Sequence, residues 1–76
     1  MSLKDKIIKL IAEKLDVEIE DVVPKASFVD DLGADSLDLV ELIMTMEETF
    51  DVDIDDKEAE SLKKVEDVIN YLEKHT

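Results

Sequence analysis

Apolar residues in this chain recur at three- and four-residue spacing, a rhythm that buries one side of the backbone only when the backbone is helical. Leu3, Ile7, Leu10, Ile11 and Leu15 form one stripe, and Lys6, Lys9 and Glu13 fall away from it. Val65, Val68, Ile69 and Leu72 repeat the pattern near the other end. Between them, Leu39, Leu42, Ile43, Met46 and Phe50 cluster on one side of a segment that begins at Ser36. One glycine and one proline in 76 residues leave that signal almost uninterrupted. The spacing predicts helices over 3–15, from 36 to about 50, and from 65 to about 74. A shorter helix fits 57–62, with Asp55 or Asp56 near its N-cap. Ser2, three residues before Asp5, supplies the N-cap of the first helix. The expected fold is therefore all-α: a single domain over 1–76, a small four-helix bundle of three longer helices and one short third helix. A long loop separates the first two.

The size and charge of the chain restrict its function. A domain this small buries only about 60% of its unfolded surface, which excludes a large enzyme core, a Rossmann fold or a barrel. Twenty-two Asp and Glu face nine Lys, giving −13. Such a surface repels nucleic acid and anionic membranes and steers toward proteins with basic patches. Without cysteine there is neither a disulfide framework nor a thiolate metal site. No uninterrupted apolar run exceeds three residues, and Met1-Ser2-Leu3-Lys4-Asp5 lacks the apolar core of a signal peptide. A cytosolic or organelle-matrix protein is the expectation.

The segment 16–35 carries no helical pattern, apart from one possible short turn in 18–23. Val23 precedes Pro24, which favours extended backbone there. Val17, Ile19, Val22, Val23, Phe28 and Leu32 are expected to pin this loop to the core. A loop of this length in so small a domain is usually functional or misassigned. Its end, Asp30-Asp31-Leu32-Gly33-Ala34-Asp35-Ser36-Leu37, is the best functional candidate, with the only glycine placed where a sharp turn into the next helix needs it.

The helix beginning at Ser36 has two apolar faces. Leu39, Leu42 and Met46 suit the core, while Leu37, Val40 and Met44 lie opposite among Glu41, Glu47 and Glu48. An apolar face ringed by carboxylates fits a docking surface for a partner with a basic rim. It fits equally well the scattered exposed apolar residues of any soluble protein.

Ser36 is the best reactive group, though not as a hydrolase nucleophile. The only histidine, His75, is at the far end of the chain, and Gly33-Ala34-Asp35-Ser36-Leu37 is not the G-x-S-x-G elbow. Without a neighbouring base the hydroxyl stays unactivated. Taken alone, Ser36 reads as a helix cap. The same position suits a phosphodiester at a helix N-terminus. Asp51, Asp53 and Asp55 open like a calcium loop, but Asp56 stands where glycine is needed and Leu62 where the bidentate glutamate belongs. No specific metal site is expected, only weak divalent binding from charge density.

The eleven residues Phe28-Val29-Asp30-Asp31-Leu32-Gly33-Ala34-Asp35-Ser36-Leu37-Asp38 resemble the phosphopantetheine attachment site of acyl carrier proteins. Val40-Glu41-Leu42, Met46-Glu47-Glu48 and Phe50-Asp51 are similar to the family's second helix. Glu58-Ala59 and Ile69-Asn70-Tyr71 are similar to pieces of its third and fourth. The resemblance covers essentially the whole chain and is nearer to the discrete bacterial or plastid fatty-acid type than to modules of peptide synthetases. It implies a non-catalytic carrier with 4′-phosphopantetheine, derived from coenzyme A, attached covalently to Ser36 by a holo-synthase (a phosphopantetheinyl transferase). Growing acyl chains would travel as thioesters among malonyl transferase, ketoacyl synthases, reductases, dehydratases and acyltransferases. Such a carrier is expected to be a monomer in a bacterial cytoplasm. The resemblance also implies docking through Asp35, Leu37, Asp38, Val40, Glu41, Met44, Glu47 and Glu48. It implies an acyl cavity walled by Phe28, Met46, Ile54, Ala59, Leu62 and Val68, residues that plain core packing would also explain. Two departures stand out. Asp55 follows Ile54 where the family often has proline, and Lys63 and Lys64 stand where it often has threonines, weakening the expected N-cap of the last helix and the local hydrogen bonding. Rival readings are a carrier for a specialised lipid or polyketide pathway, and an acidic calcium-responsive or adaptor protein with no prosthetic group.

Overall fold

The computed structural model describes residues 2–75. Helix α1 spans Leu3–Leu15, α2 Ser36–Phe50, α3 Asp56–Ser61 and α4 Val65–His75, with one 3-10 turn at Ile19–Asp21. Among the described residues the only β-type pairing is an isolated antiparallel bridge between Ser27 and Lys64. The all-α reading and its element boundaries hold to within a residue or so.

Each helix end has a cause in local chemistry. Ser2 Oγ accepts from the Asp5 N–H at 3.2 Å, the cap expected for α1. Helices α1 and α2 both stop at an aspartate in left-handed conformation, Asp16 at φ 55° and Asp51 at φ 54°. Aspartate tolerates this region better than most residues. The reversed backbone returns the Val17 and Val52 N–H groups to the carbonyls of Ala12 and Glu47, both at 3.1 Å, in the manner of a Schellman stop. Asp55 Oδ1 accepts from the Glu58 N–H at 2.8 Å and starts α3. That carboxylate is thus a cap within the stretch that resembled a calcium loop.

The core is one cluster, with Ile7, Ile11, Phe28, Leu42, Met46 and Leu72 each no more than 1% exposed. Helix α1 packs on both α2 and α4. The long loop joins this core as expected through Val22, Phe28 and Leu32, all buried, with Val17 half-buried. Ile19 and Val23, however, are 53% and 48% exposed. The 3-10 turn is only three residues long, so it turns one side chain of its neighbourhood, Val22, inward and leaves the flanking apolar residues outside.

The same loop resolves the missing cap of α4. The Val65 and Glu66 N–H groups donate to the carbonyls of Ala26 (3.0 Å) and Pro24 (2.8 Å). Asp67 Oδ2 reaches back to the N–H groups of Lys63 (3.3 Å) and Lys64 (3.0 Å). Orphan donors at a helix start need acceptors; here backbone carbonyls from the loop replace an N-cap side chain. Phe28 N–H donates in return to the Lys63 carbonyl at 3.1 Å. This stitching fixes the loop, and with it the approach to α2.

Candidate functional site

The approach to α2 is built from residues 27–35. Ser27 N–H donates to Asp31 Oδ2 at 2.7 Å, and Asp30 N–H donates to Ser27 Oγ at 3.2 Å. The chain then reverses at Gly33, whose φ of 70° strains any residue with a Cβ, even though a Cβ there would meet no atom within 4 Å. Ala34 N–H closes the turn on the Phe28 carbonyl at 2.8 Å.

The first turn of α2 corrects the reading of Ser36 as a cap. Asp35 holds that position, and its Oδ1 accepts from the Asp38 N–H at 2.9 Å. Asp38 Oδ2 accepts in turn from the Asp35 N–H at 3.1 Å, completing a capping box with aspartate in both places. Ser36 is displaced to the first helical residue. Its exposed hydroxyl makes no hydrogen bond among the described residues. The N–H of Leu39 goes to the Asp35 carbonyl at 3.0 Å. The N–H groups of Ser36 and Leu37 have no acceptor among the described residues, which leaves donors at the positive end of the dipole beside the free hydroxyl.

Helix α2 carries three faces rather than two. Leu42 and Met46 are buried, while Leu37, Val40 and Met44 are 66%, 54% and 53% exposed. Asp35, Glu41 and Glu48 are exposed among the latter, and Asp38 and Glu47 are half-buried. Between core and outer face runs a stripe at helical spacing, Ser36, Val40, Ile43 and Glu47, which shares Val40 with the outer face. This stripe, with Leu39 and Met44, forms one wall of an open cleft of about 670 Å³. Ile54, Asp56, Ala59 and Glu60 form the other wall. Leu39 and Ile43, read as core, are therefore half-buried cleft residues. Helix α3 has only six residues and cannot cover the longer α2.

Of the six residues assigned to an acyl cavity, only Ile54 and Ala59 line this cleft. Phe28, Met46, Leu62 and Val68 are 7% exposed or less and belong to the packed core. Apolar character marks burial but cannot distinguish a wall from filling. Counting 4, 7 and 11 residues on from Ser36 would have found the stripe.

Two further contacts carry no signal in the sequence. Glu47 Oε2 accepts from the Ile54 N–H at 3.0 Å. Tyr71 Oη donates to the Asp53 carbonyl at 3.1 Å, and its ring stacks on His75 at a centroid distance of 4.1 Å. The Glu58 carboxylate, which competes with the Asp53 carbonyl for the single phenol proton, then partial burial and the charges of Glu58, Asp55 and Asp53, push the Tyr71 phenol up to about 12.

A family model described as a phosphopantetheine attachment site matches residues 5–72. A protein named acyl carrier protein from Desulforapulum autotrophicum is 64% identical over 75 residues, covering 97% of each chain. One from Nitratidesulfovibrio vulgaris is 57% identical over 72 residues, covering 95% of each. The chain belongs to the acyl carrier protein family. A solved Mycobacterium tuberculosis structure, described as a candidate acyl carrier protein, superposes with a TM-score of 0.85 at 33% identity. It covers 91% of this chain and 92% of its own. Acyl carrier proteins are non-catalytic and carry their cargo on a phosphopantetheine arm. The residues present fit such a group: a free, exposed hydroxyl, uncommitted N–H donors beside it, and a largely apolar cleft that the same residue lines. No helix among the described residues is long and apolar enough to cross a membrane.

Proposed function

We propose that this acyl carrier protein serves fatty-acid biosynthesis, with 4′-phosphopantetheine esterified to Ser36. The observation that carries this reading is the Ser36 hydroxyl itself, released from capping by the Asp35–Asp38 box and exposed at the mouth of the α2–α3 cleft. No base of this chain contacts the hydroxyl among the described residues, so its proton passes to a base on the holo-synthase. The bond from Oγ to phosphorus forms there as the pyrophosphate bond of coenzyme A breaks and adenosine 3′,5′-bisphosphate leaves. When bound, the arm supplies the thiol that this cysteine-free chain lacks. Ser36 anchors the arm, and the apolar cleft walls Leu39, Ile43, Ile54 and Ala59 shelter part of the acyl chain from water.

Partner enzymes dock on the outer face of α2. Leu37, Val40 and Met44 supply the apolar centre, and Asp35, Glu41 and Glu48 the rim. Rim charges set the rate of encounter, and the apolar centre sets how long the complex lasts. Self-repulsion at −13 favours a monomer. The bacterial relatives support a bacterial cytoplasm as its location.

The test is mass spectrometry after incubation with coenzyme A and a broad-specificity phosphopantetheinyl transferase. One phosphopantetheine increment on Ser36 is expected, and none on Ser36→Ala, whose helical content stays unchanged. Modification at Ser27 or Ser61 would refute the site. The pathway is tested by replacing the fatty-acid carrier of a bacterial host. Growth supports the reading, and a holo-protein that fails to sustain growth overturns the fatty-acid role in favour of a specialised carrier.

A further inference from the structure

The hydrogen bonds made by Glu47 and Tyr71 meet on one peptide group. Glu47 accepts from the N–H of Ile54, and Tyr71 donates to the carbonyl of Asp53. Those two atoms belong to the single peptide unit joining residues 53 and 54. Its N–H is gripped from α2 and its carbonyl from α4. Glu47 is half-buried, unlike its exposed neighbour Glu48, so it is held inward while Glu48 faces solvent.

The location of this peptide gives the grip a consequence. Ile54 is 7% exposed and lines the cleft together with Ile43. One residue later Asp55 caps α3, which supplies Asp56, Ala59 and Glu60 to the same wall. A six-residue helix has no independent stability in water, so its position is set by what holds its ends. At its far end Leu62 is buried in the core. At its near end the hold is the burial of Ile54 together with the two side chains on the 53–54 peptide.

We propose that Glu47 and Tyr71 clamp the Asp53–Ile54 peptide and thereby set the width of the α2–α3 cleft, which makes Glu47 a positioning residue for stored cargo and not only a rim charge. The role of the cleft as cargo store rests on the function proposed above; the clamp itself does not. An ionised acceptor strengthens the Ile54 N–H bond, and the phenol, protonated throughout the neutral range, remains a donor. Each partner closes one end of the same peptide, so loss of either loosens the near end of α3.

Amide hydrogen exchange of the protein without a prosthetic group tests the clamp directly. Glu47→Ala should speed exchange at Ile54 about tenfold, the size expected from one charge-assisted hydrogen bond, while Leu42 and Val68 exchange as in the parent. Glu47→Gln, whose amide oxygen can still accept, should restore most of the protection although the charge is gone. Equal acceleration at Ile54, Leu42 and Val68 means a global loss of stability and overturns the clamp, as does unchanged Ile54 exchange in Glu47→Ala. Octanoyl-loaded protein then tests the cleft, using hydroxylamine to cleave the thioester. Glu47→Ala and Tyr71→Phe should be cleaved several-fold faster than the parent, and Glu47→Gln close to it. Parent-like cleavage in both clamp variants overturns control of the cleft. Failure of Ser36 to accept the arm would refute the proposed attachment while leaving the exchange result to judge the clamp.

Discussion

At the scale of single residues, the division of labour between Asp35 and Ser36 leaves a free hydroxyl at the start of α2. Serine and aspartate both cap helices well, and their adjacency leaves the choice to geometry. Aspartate takes the cap because Asp38, three residues on, returns the bond to its N–H. Replacing Asp35 with alanine should cost about 1 kcal/mol, a fall of about 4–8 °C in melting temperature for a domain of this size. Asp35→Asn keeps an acceptor and should stay near the parent; thermal melts by circular dichroism read both. Tyr71 is the other residue whose setting has a measurable signature. Its folded pKa is raised to about 12, above an ordinary tyrosine near 10. The fold therefore favours the protonated phenol. That contribution is complete below about pH 10 and is lost as pH rises through 12. Tyrosinate absorbance in the folded protein should titrate near 12, and Glu58→Gln should bring the midpoint down. An ordinary midpoint would show that the phenol does not feel these carboxylates.

Among the elements, α2 is the one whose orientation the proposed docking face depends on. Val40 is 54% exposed and Leu42 1%, only two residues apart on the same helix. Val40→Asp should change stability by less than about 1 kcal/mol, as surface substitutions do. Leu42→Asp places a carboxylate without a partner in the core and should cost more than about 4 kcal/mol, enough to unfold a marginal domain. Chemical denaturation of the two variants side by side checks this, and the reverse order would mean that α2 presents its other face. Helix α3 stands at the opposite extreme. It is too short to hold itself, so the loops and side chains around it fix its place, and the cleft exists because it leaves α2 partly uncovered.

For the whole molecule, the dominant force outside the core is self-repulsion. A charge of −13 on 76 residues opposes compaction at low ionic strength. Added monovalent salt screens it within a Debye length of about 10 Å at 0.1 M, and millimolar magnesium should act more strongly by binding the folded state. The melting temperature should rise with both, and more with magnesium at equal ionic strength. A melting temperature indifferent to both would show that repulsion does not limit stability.

The helix spans and the outward face of Leu37, Val40 and Met44 were legible in the order of residues, because they depend on neighbours three or four residues away. That order also singled out Ser36, through the run of residues leading into α2 and the one glycine able to make the turn. Tertiary structure decided what depends on distant partners. Pro24 and Ala26 supply the acceptors for the start of α4, which no cap pattern could reveal. Leu39 and Ile43 face a cleft because α3 is too short to cover them, whereas Phe28, Met46, Leu62 and Val68 are buried in the core cluster. Glu47 and Tyr71 meet on one peptide only after α2 and α4 have docked. Helical periodicity records which side of a helix is apolar; whether that side meets packed atoms, open space or a buried peptide is set by how the helices come together.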